Sequence, residues 1–565
     1  MTRRMAVPMA LLMTAGLALI APQAAVGSPR PALGPAGLAS QRPALGTAGL
    51  VSPRPALGTA GLASPRLPLG PAGLEETRTT RTLQPGVTLT RIVRGHTDPN
   101  AFWTVEVAIP SGPGSPDPDA PPAVIRDEAD ARATADRLRA AGLDARVEKV
   151  TTPPLADFSG DLGWRVRVGA AGTRAEADAI RQQVIAAGLT GSSVYTGWDG
   201  EPDDVAGSTG PWHVDVLTID PRRFRGRLDG TYGPDLEQRE TTSRLAALSA
   251  AKAAVNAGFF VLDPAAGAPG DPAGVGAYDG RLVSEPIAGR PALVVRDDAR
   301  HTSIVRLRWR GTVAGLTLDG LNRVPGLIRN CGGIGDTPTD RPLHDFTCTD
   351  PDELIAFDAA YGPRTPSGPG ADVVLDRRGR GVEIRSARGG TVPAGGRTVQ
   401  ATGAQVDALL AVARPGRRLT VRATLVDERG RPVWPARDAA ITNGAPELVR
   451  HGGLHATPAA DGMVRPGEPS FYYGWVHKRN PRTFAGVDAA GRTVLVTADG
   501  RSTESLGLGI GETAAVARAL GMRDAMNLDG GGSTTMVVDG AVINVPSDAT
   551  GERPVGDALV VLPGR

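Results

Sequence analysis

Toward its C-terminal end the chain reads Asn527-Leu528-Asp529-Gly530-Gly531-Gly532-Ser533-Thr534-Thr535, between a run with helical periodicity and the apolar Met536-Val537-Val538. Three consecutive glycines cannot sit cheaply inside a helix or a strand, so this stretch must be a turn. A carboxylate and a carboxamide beside those glycines leave backbone N–H groups open to close approach by an anion such as phosphate. The same glycines also serve simply to relieve crowding between two elements.

Two further blocks share this character. Asn256-Ala257-Gly258-Phe259-Phe260 follows the apolar Ala253-Ala254-Val255, and Asn480-Pro481-Arg482-Thr483-Phe484-Ala485-Gly486-Val487 precedes a strand-like run ending at Asp499-Gly500-Arg501. In this order, N-x-G-F-F, P-R-T-x-x-G and N-L-D-G-G-G-S resemble the phosphodiester glycosidase family. The resemblance runs over residues 212–563 and is most specific over 482–562; Ala257 stands where many relatives have glycine. It implies hydrolysis of a sugar linked through a phosphodiester, as when N-acetylglucosamine is removed from phosphodiester-linked mannose.

Such a reaction breaks the anomeric C–O bond, with oxocarbenium-like charge on the sugar and negative charge leaving on phosphate. Phosphate is a good leaving group, so a carboxylate near the anomeric carbon and cations on the phosphate matter more than a general acid. Asp529 is the first candidate carboxylate, either activating water or stabilising the sugar cation. Asp499 and Glu512 are further candidates, although Glu512 opens a helix, where the helix dipole favours a carboxylate anyway. Arg482 suits two phosphate oxygens in a bidentate contact, and Arg501 is a second guanidinium. Asn256 and Asn527 offer amides, Thr483 and Ser533 hydroxyls, Gly258, Gly530 and Gly531 backbone groups, and His477 a ring donor. Phe259 and Phe260 read as core.

At 565 residues the chain is long enough for two or three folded domains with linkers. Residues 1–27 read as a secretory signal, with Arg3 and Arg4 ahead of an apolar run from Ala6 to Ile20 and small residues at Ala25-Val26-Gly27. That run is shorter than the roughly 20 residues of a membrane span, so export without stable membrane insertion is expected. A Pro/Gly-rich unit then recurs every 12 residues from Ser28, Ser40, Ser52 and Ser64, and residues 28–99 read as a disordered tether.

Residues 100–200 carry strand–helix–strand twice, with helices expected at 127–141 and 174–187 and similar ends in Ala-Ala-Gly-Leu. This pattern is similar to the SPOR domain, which implies a ferredoxin-like βαββαβ unit and binding to peptidoglycan glycan strands. From Trp212 to the end, short strands outnumber helices, so the fold class expected is α+β, with a mostly β catalytic domain over 212–565.

A net charge of +2 gives no support for a nucleic-acid partner. Cys331 and Cys348 read as a disulfide in an exported protein, closing a loop worth about 3 kcal/mol. The surrounding insertion, 322–350, lies outside the family motifs and is expected to shape substrate selection. No metal or cofactor is required, with a structural calcium ion among the acidic loops left open. The function expected is that of an exported phosphodiester glycosidase acting on wall or exopolysaccharide material. The alternative is a non-catalytic glycan-binding protein using the same fold.

Overall fold

The computed structural model describes residues 65–110, 122–200, 208–333 and 335–564. The expected signal segment and the first three repeats lie outside these residues.

The expected tether ends much earlier than residue 99. Strands β1 (Glu76–Gln84) and β2 (Val87–Arg94) form an antiparallel hairpin. The tail of the fourth repeat is also folded: Leu67 and Leu69 are each 1 % exposed. The Arg94 guanidinium donates to the carbonyls of Leu69, Pro71 and Leu74. Two leucines cannot build a core alone, but they can fill one that other segments supply. That is the physical reason the expectation fails here.

Next comes the βαββαβ unit: β3 (Trp103–Val107), α1 (Glu128–Ala140), β4 (Ala145–Thr152), β5 (Gly160–Ala171), α2 (Arg174–Ala186) and β6 (Gly191–Tyr195). Asp127 caps α1 and Thr173 forms a capping box with Glu176 on α2. The strands pair in the antiparallel order β4-β5-β3-β6. Val105, Val107, Val166 and Val168 pack with Ala131, Ala135, Leu138 and Val184 of the helices.

The chain then returns as β7 (Trp212–Ile219), which pairs with β2 along its whole length, from Val87↔Ile219 to Arg94↔Trp212. The βαββαβ unit is therefore an insertion between two strands of one sheet. The expected domain boundary at Trp212 would leave out the first two strands of that sheet, the largest in the protein. That sheet has eight strands, β1-β2-β7 followed by Thr493–Ala498, Arg482–Asp488, Met522–Asn527, Glu447–Arg450 and Gly453–Leu454.

Both faces of this sheet are covered, with Val494 and Val496 packing on one side and Leu495 and Leu217 on the other. Strands buried on both faces read as continuous apolar runs. A second, five-stranded sheet contains Ala253–Asn256, Met536–Val538 and Ala558–Leu562. The molecule is mostly β with few helices, as the α+β reading expected. No helix among the described residues is long and apolar enough to cross a membrane.

Candidate active site

The glycine turn lies where the two large sheets meet. Strand Met522–Asn527 belongs to one sheet and Ala253–Asn256 to the other, and Asp529 joins them. Its N–H donates to the Ala257 carbonyl at 2.9 Å, and its carbonyl accepts the Asn256 side-chain amide at 2.8 Å. The Asn256 Oδ1 in turn accepts from the Thr483 hydroxyl at 2.6 Å and the Thr535 N–H at 3.1 Å. Asn256 and Thr483 are completely buried. They hold the turn in place rather than face a substrate, which corrects their expected role as direct ligands.

The turn opens into a cleft of about 240 Å³, lined among others by Asp529, Gly530, Gly531, Gly532, Arg482 and Arg501. Gly531 has φ +59°, a left-handed conformation that favours glycine. A Cβ on Gly532 would press on the tips of the Arg553 and Asp548 side chains, which pair over this position.

Burial pushes the Asp529 carboxyl up to about 6, and the like charge of Asp345 adds to the rise; the Ser533 hydroxyl, Arg553 and the Gly530 N–H oppose it. Arg482 is 2 % exposed and donates to the carbonyls of Leu508 at 2.9 Å and Trp475 at 2.6 Å. Arg501 donates to Asn480 Oδ1 at 3.1 Å. Neither forms an ion pair with a carboxylate among the described residues, whereas Arg553 pairs with Asp548 at 2.8 Å. Burial, then the neighbouring Arg501, lowers the Arg482 pKa, the direction expected of a cation that lacks an anion.

The opposite wall comes from the disulfide-closed insertion. Cys331 and Cys348 are bonded, with Cα atoms 5.4 Å apart, and the loop delivers Arg329, Asn330, His344 and Asp345 to the cleft. Asp345 pairs with Arg329 and donates its N–H to Asn330 Oδ1 at 2.7 Å. His344 packs edge-on against Trp475 and at a tilt against Phe259, with centroids 4.4 and 4.3 Å away. Its Nδ1 faces Arg290 Nη2 at 2.9 Å. A guanidinium can only donate, so Nδ1 accepts and the ring proton resides on Nε2. Burial, then Arg290, Arg465, Arg329 and Arg482, holds the imidazole well below its ordinary pKa and therefore neutral.

Several expected site residues lie elsewhere. The Asp499 carboxylate accepts from Asn544 Nδ2 and the Val545 N–H, both at 3.1 Å, and so fixes the chain after the turn. Glu512 pairs with Arg479 at 2.7 Å and caps its own helix through the Gly509 N–H. Neither carboxylate lines the cleft, and these contacts tie both into the fold. His477 lines a different cavity. Asn527 donates to the Ala445 carbonyl at 2.9 Å from full burial. The Gly258 N–H is taken by Asp557 at 2.6 Å, and Ser533 is buried beside Asp529 rather than lining the cleft.

The residues that sequence reasoning missed are Arg329, Asn330, His344, Asp345, Trp475, Asn480 and Arg553. Only Asn480 carried a local signal, since it opens the N-P-R-T block. Phe259 and Phe260 are core residues, as expected, and also line the cleft.

Comparison with known proteins agrees with this architecture. Residues 370–562 match the phosphodiester glycosidase family and residues 123–195 match the SPOR domain. The chain thus carries a phosphodiester glycosidase domain and a SPOR domain. A candidate exported protein of Burkholderia pseudomallei, known from its crystal structure, is 34 % identical with a TM-score of 0.79, over 89 % of this chain and 99 % of that one. N-acetylglucosamine-1-phosphodiester alpha-N-acetylglucosaminidase of Mus musculus is 32 % identical over 160 residues, 28 % of this chain and 30 % of the mouse protein. The Homo sapiens protein of that name is 33 % identical over 109 residues, 19 % of this chain and 21 % of its own length. The chain thus spans under a third of the curated relatives it matches.

Proposed function

We propose that this protein is an exported hydrolase that cleaves the glycosidic bond of a sugar linked through a phosphodiester, on cell-wall or exopolysaccharide material. One observation carries the reading: a single cleft holds two carboxylates, Asp529 and Asp345, facing arginines 482 and 501, which have no carboxylate of their own. The arginines take the phosphate oxygens and the departing charge. Asp529, ionised above about pH 6, either takes a proton from the attacking water or stabilises the sugar cation. Neutral His344 offers Nε2–H as a donor to a substrate oxygen. Trp475 supplies an aromatic surface for the sugar.

Export is supported by the N-terminal apolar run, the disulfide and the likeness to the Burkholderia protein. Hydrolysis of α-N-acetylglucosaminyl phosphodiester and a panel of other sugar phosphodiesters in oxygen-18 water tests the reaction. The full chain is required, because β1 and β2 belong to the catalytic sheet. Label in the released sugar establishes C–O cleavage. Label in phosphate would instead mean a phosphodiesterase, and no turnover with retained binding would favour the non-catalytic glycan-binding reading.

A further inference from the structure

Tyr473 belongs to the catalytic domain, yet its hydroxyl sits on the helix-free face of the SPOR sheet. The strand register sets Glu106 beside Arg167 and Glu148 beside Arg165 on that face. Between them the Tyr473 hydroxyl donates to Glu106 Oε2 at 2.6 Å and accepts from Arg165 Nη1 at 2.8 Å. Lys478 reaches Glu106 at 3.2 Å, and Asp199 accepts from both Arg165 and Arg167. Glu106 is 5 % exposed and Arg167 2 %, so the centre of the face is sealed. Burial alone would raise the Glu106 pKa, but Lys478, Arg167 and Arg165 hold it at about 2. A buried charge cluster of this kind contributes little net stability; what it supplies is one defined geometry.

That geometry is passed directly to the cleft. Tyr473 opens a wide, π-type turn over Tyr473–His477, a conformation frequent at functional sites. The next two carbonyls each hold a cleft residue: Gly474 accepts from Asn480 Nδ2 at 3.0 Å, and Trp475 from Arg482 Nη2 at 2.6 Å. Asn480 Oδ1 in turn accepts from Arg501. At the other end, Arg479 donates its N–H to the Trp198 carbonyl at 2.8 Å and its Nη1 to the Gly197 carbonyl at 2.9 Å. Both arginines without carboxylate partners are thus aimed by a segment fastened at each end to the SPOR side.

We infer that the SPOR domain is a working part of the catalytic site: by clamping Tyr473 and Arg479 it positions Arg482 and Arg501 for the phosphate, and Tyr473 is a positioning residue for the reaction. A glycan strand cannot reach the centre of the helix-free face while this clamp is closed. The inference rests on reading the cleft as the sugar-phosphodiester site, and its test includes measurements that need no turnover.

The test is Tyr473→Phe in the full chain. The ring keeps its place against His477, at 5.8 Å between centroids, and Glu106 keeps Arg167 and Lys478. Loss of the hydroxyl, and with it the hydrogen bonds to Glu106 and from Arg165, is expected to speed amide exchange over 474–482 about 10-fold and to weaken inorganic phosphate binding by a similar factor. The ratio kcat/KM should fall about 10-fold on any sugar phosphodiester the wild type cleaves, with global melting nearly unchanged. Unchanged exchange overturns the clamp. Faster exchange with unchanged phosphate affinity overturns its positioning role. A wild type that binds phosphate but turns over no substrate counts against the proposed function alone, because exchange and affinity still decide the inference.

Discussion

Arginines in two parts of this molecule are treated in opposite ways. Arg165 and Arg167, between the SPOR sheet and Tyr473, are enclosed by Glu106, Glu148 and Asp199. Arg482, three residues beyond Arg479 of the same clamp, and Arg501, linked to that segment through Asn480, hold only carbonyls and an amide oxygen. Arg482 is buried, and a buried cation without a counter-charge is costly; a fold keeps one where a ligand completes it. Charge saturation therefore separates what builds this protein from what the protein does.

The largest effect expected is from Asp529→Asn, which should lower turnover about 1,000-fold, measured as kcat on a cleaved phosphodiester. The same variant should melt higher than wild type at pH 8. The Asp529 pKa is raised from 3.8 to about 6 on folding, so the folded state binds the proton more tightly than the unfolded one. Its contribution is fully present below the unfolded value and is lost as pH rises through about 6, by up to about 3 kcal/mol. Near pH 4 the two proteins should melt almost together.

Arg167→Met should show the reverse pattern. Removing the cation leaves Glu106 and Asp199 short of a partner in a buried site, at a cost of about 3–5 kcal/mol in urea unfolding. If stability barely moves, the cluster is not saturated in the sense argued here. Arg482→Lys, which keeps the charge but loses the planar fork, should lower kcat/KM about 100-fold while destabilising far less than Arg167→Met. Smallest of all, inorganic phosphate at about five times its dissociation constant should stabilise the wild type by about 1 kcal/mol. That gain should shrink with added salt and vanish in Arg482→Lys; a gain kept in full would place the anion elsewhere.

Much of this was legible in the sequence. The helices over 127–141 and 174–187 have clear periodicity and capping residues, and α1 and α2 form within a residue or so of those bounds. The glycine turn, Asp529, Arg482 and Arg501 were found because their chemistry is concentrated in short blocks. Asp499 and Glu512 occur in equally suggestive blocks, yet they cap and pair within the fold. Local pattern does not show whether a carboxylate's neighbours leave it a free direction. Leu67 and Leu69 looked too sparse for a core because the surface they cover is made by segments far along the chain.

By itself the sequence determined the elements whose causes are local: period, caps, glycine turns and the cysteine pair, which depend on residues a few positions apart. Only the tertiary structure decided that the βαββαβ unit interrupts the eight-stranded sheet between β2 and β7. It alone brought His344 and Asp345 opposite Asp529, and joined Tyr473 to Glu106 and Arg165. Those outcomes depend on which surfaces remain to be buried once the strands have paired, and that is a property of the assembled sheets rather than of any short stretch of chain.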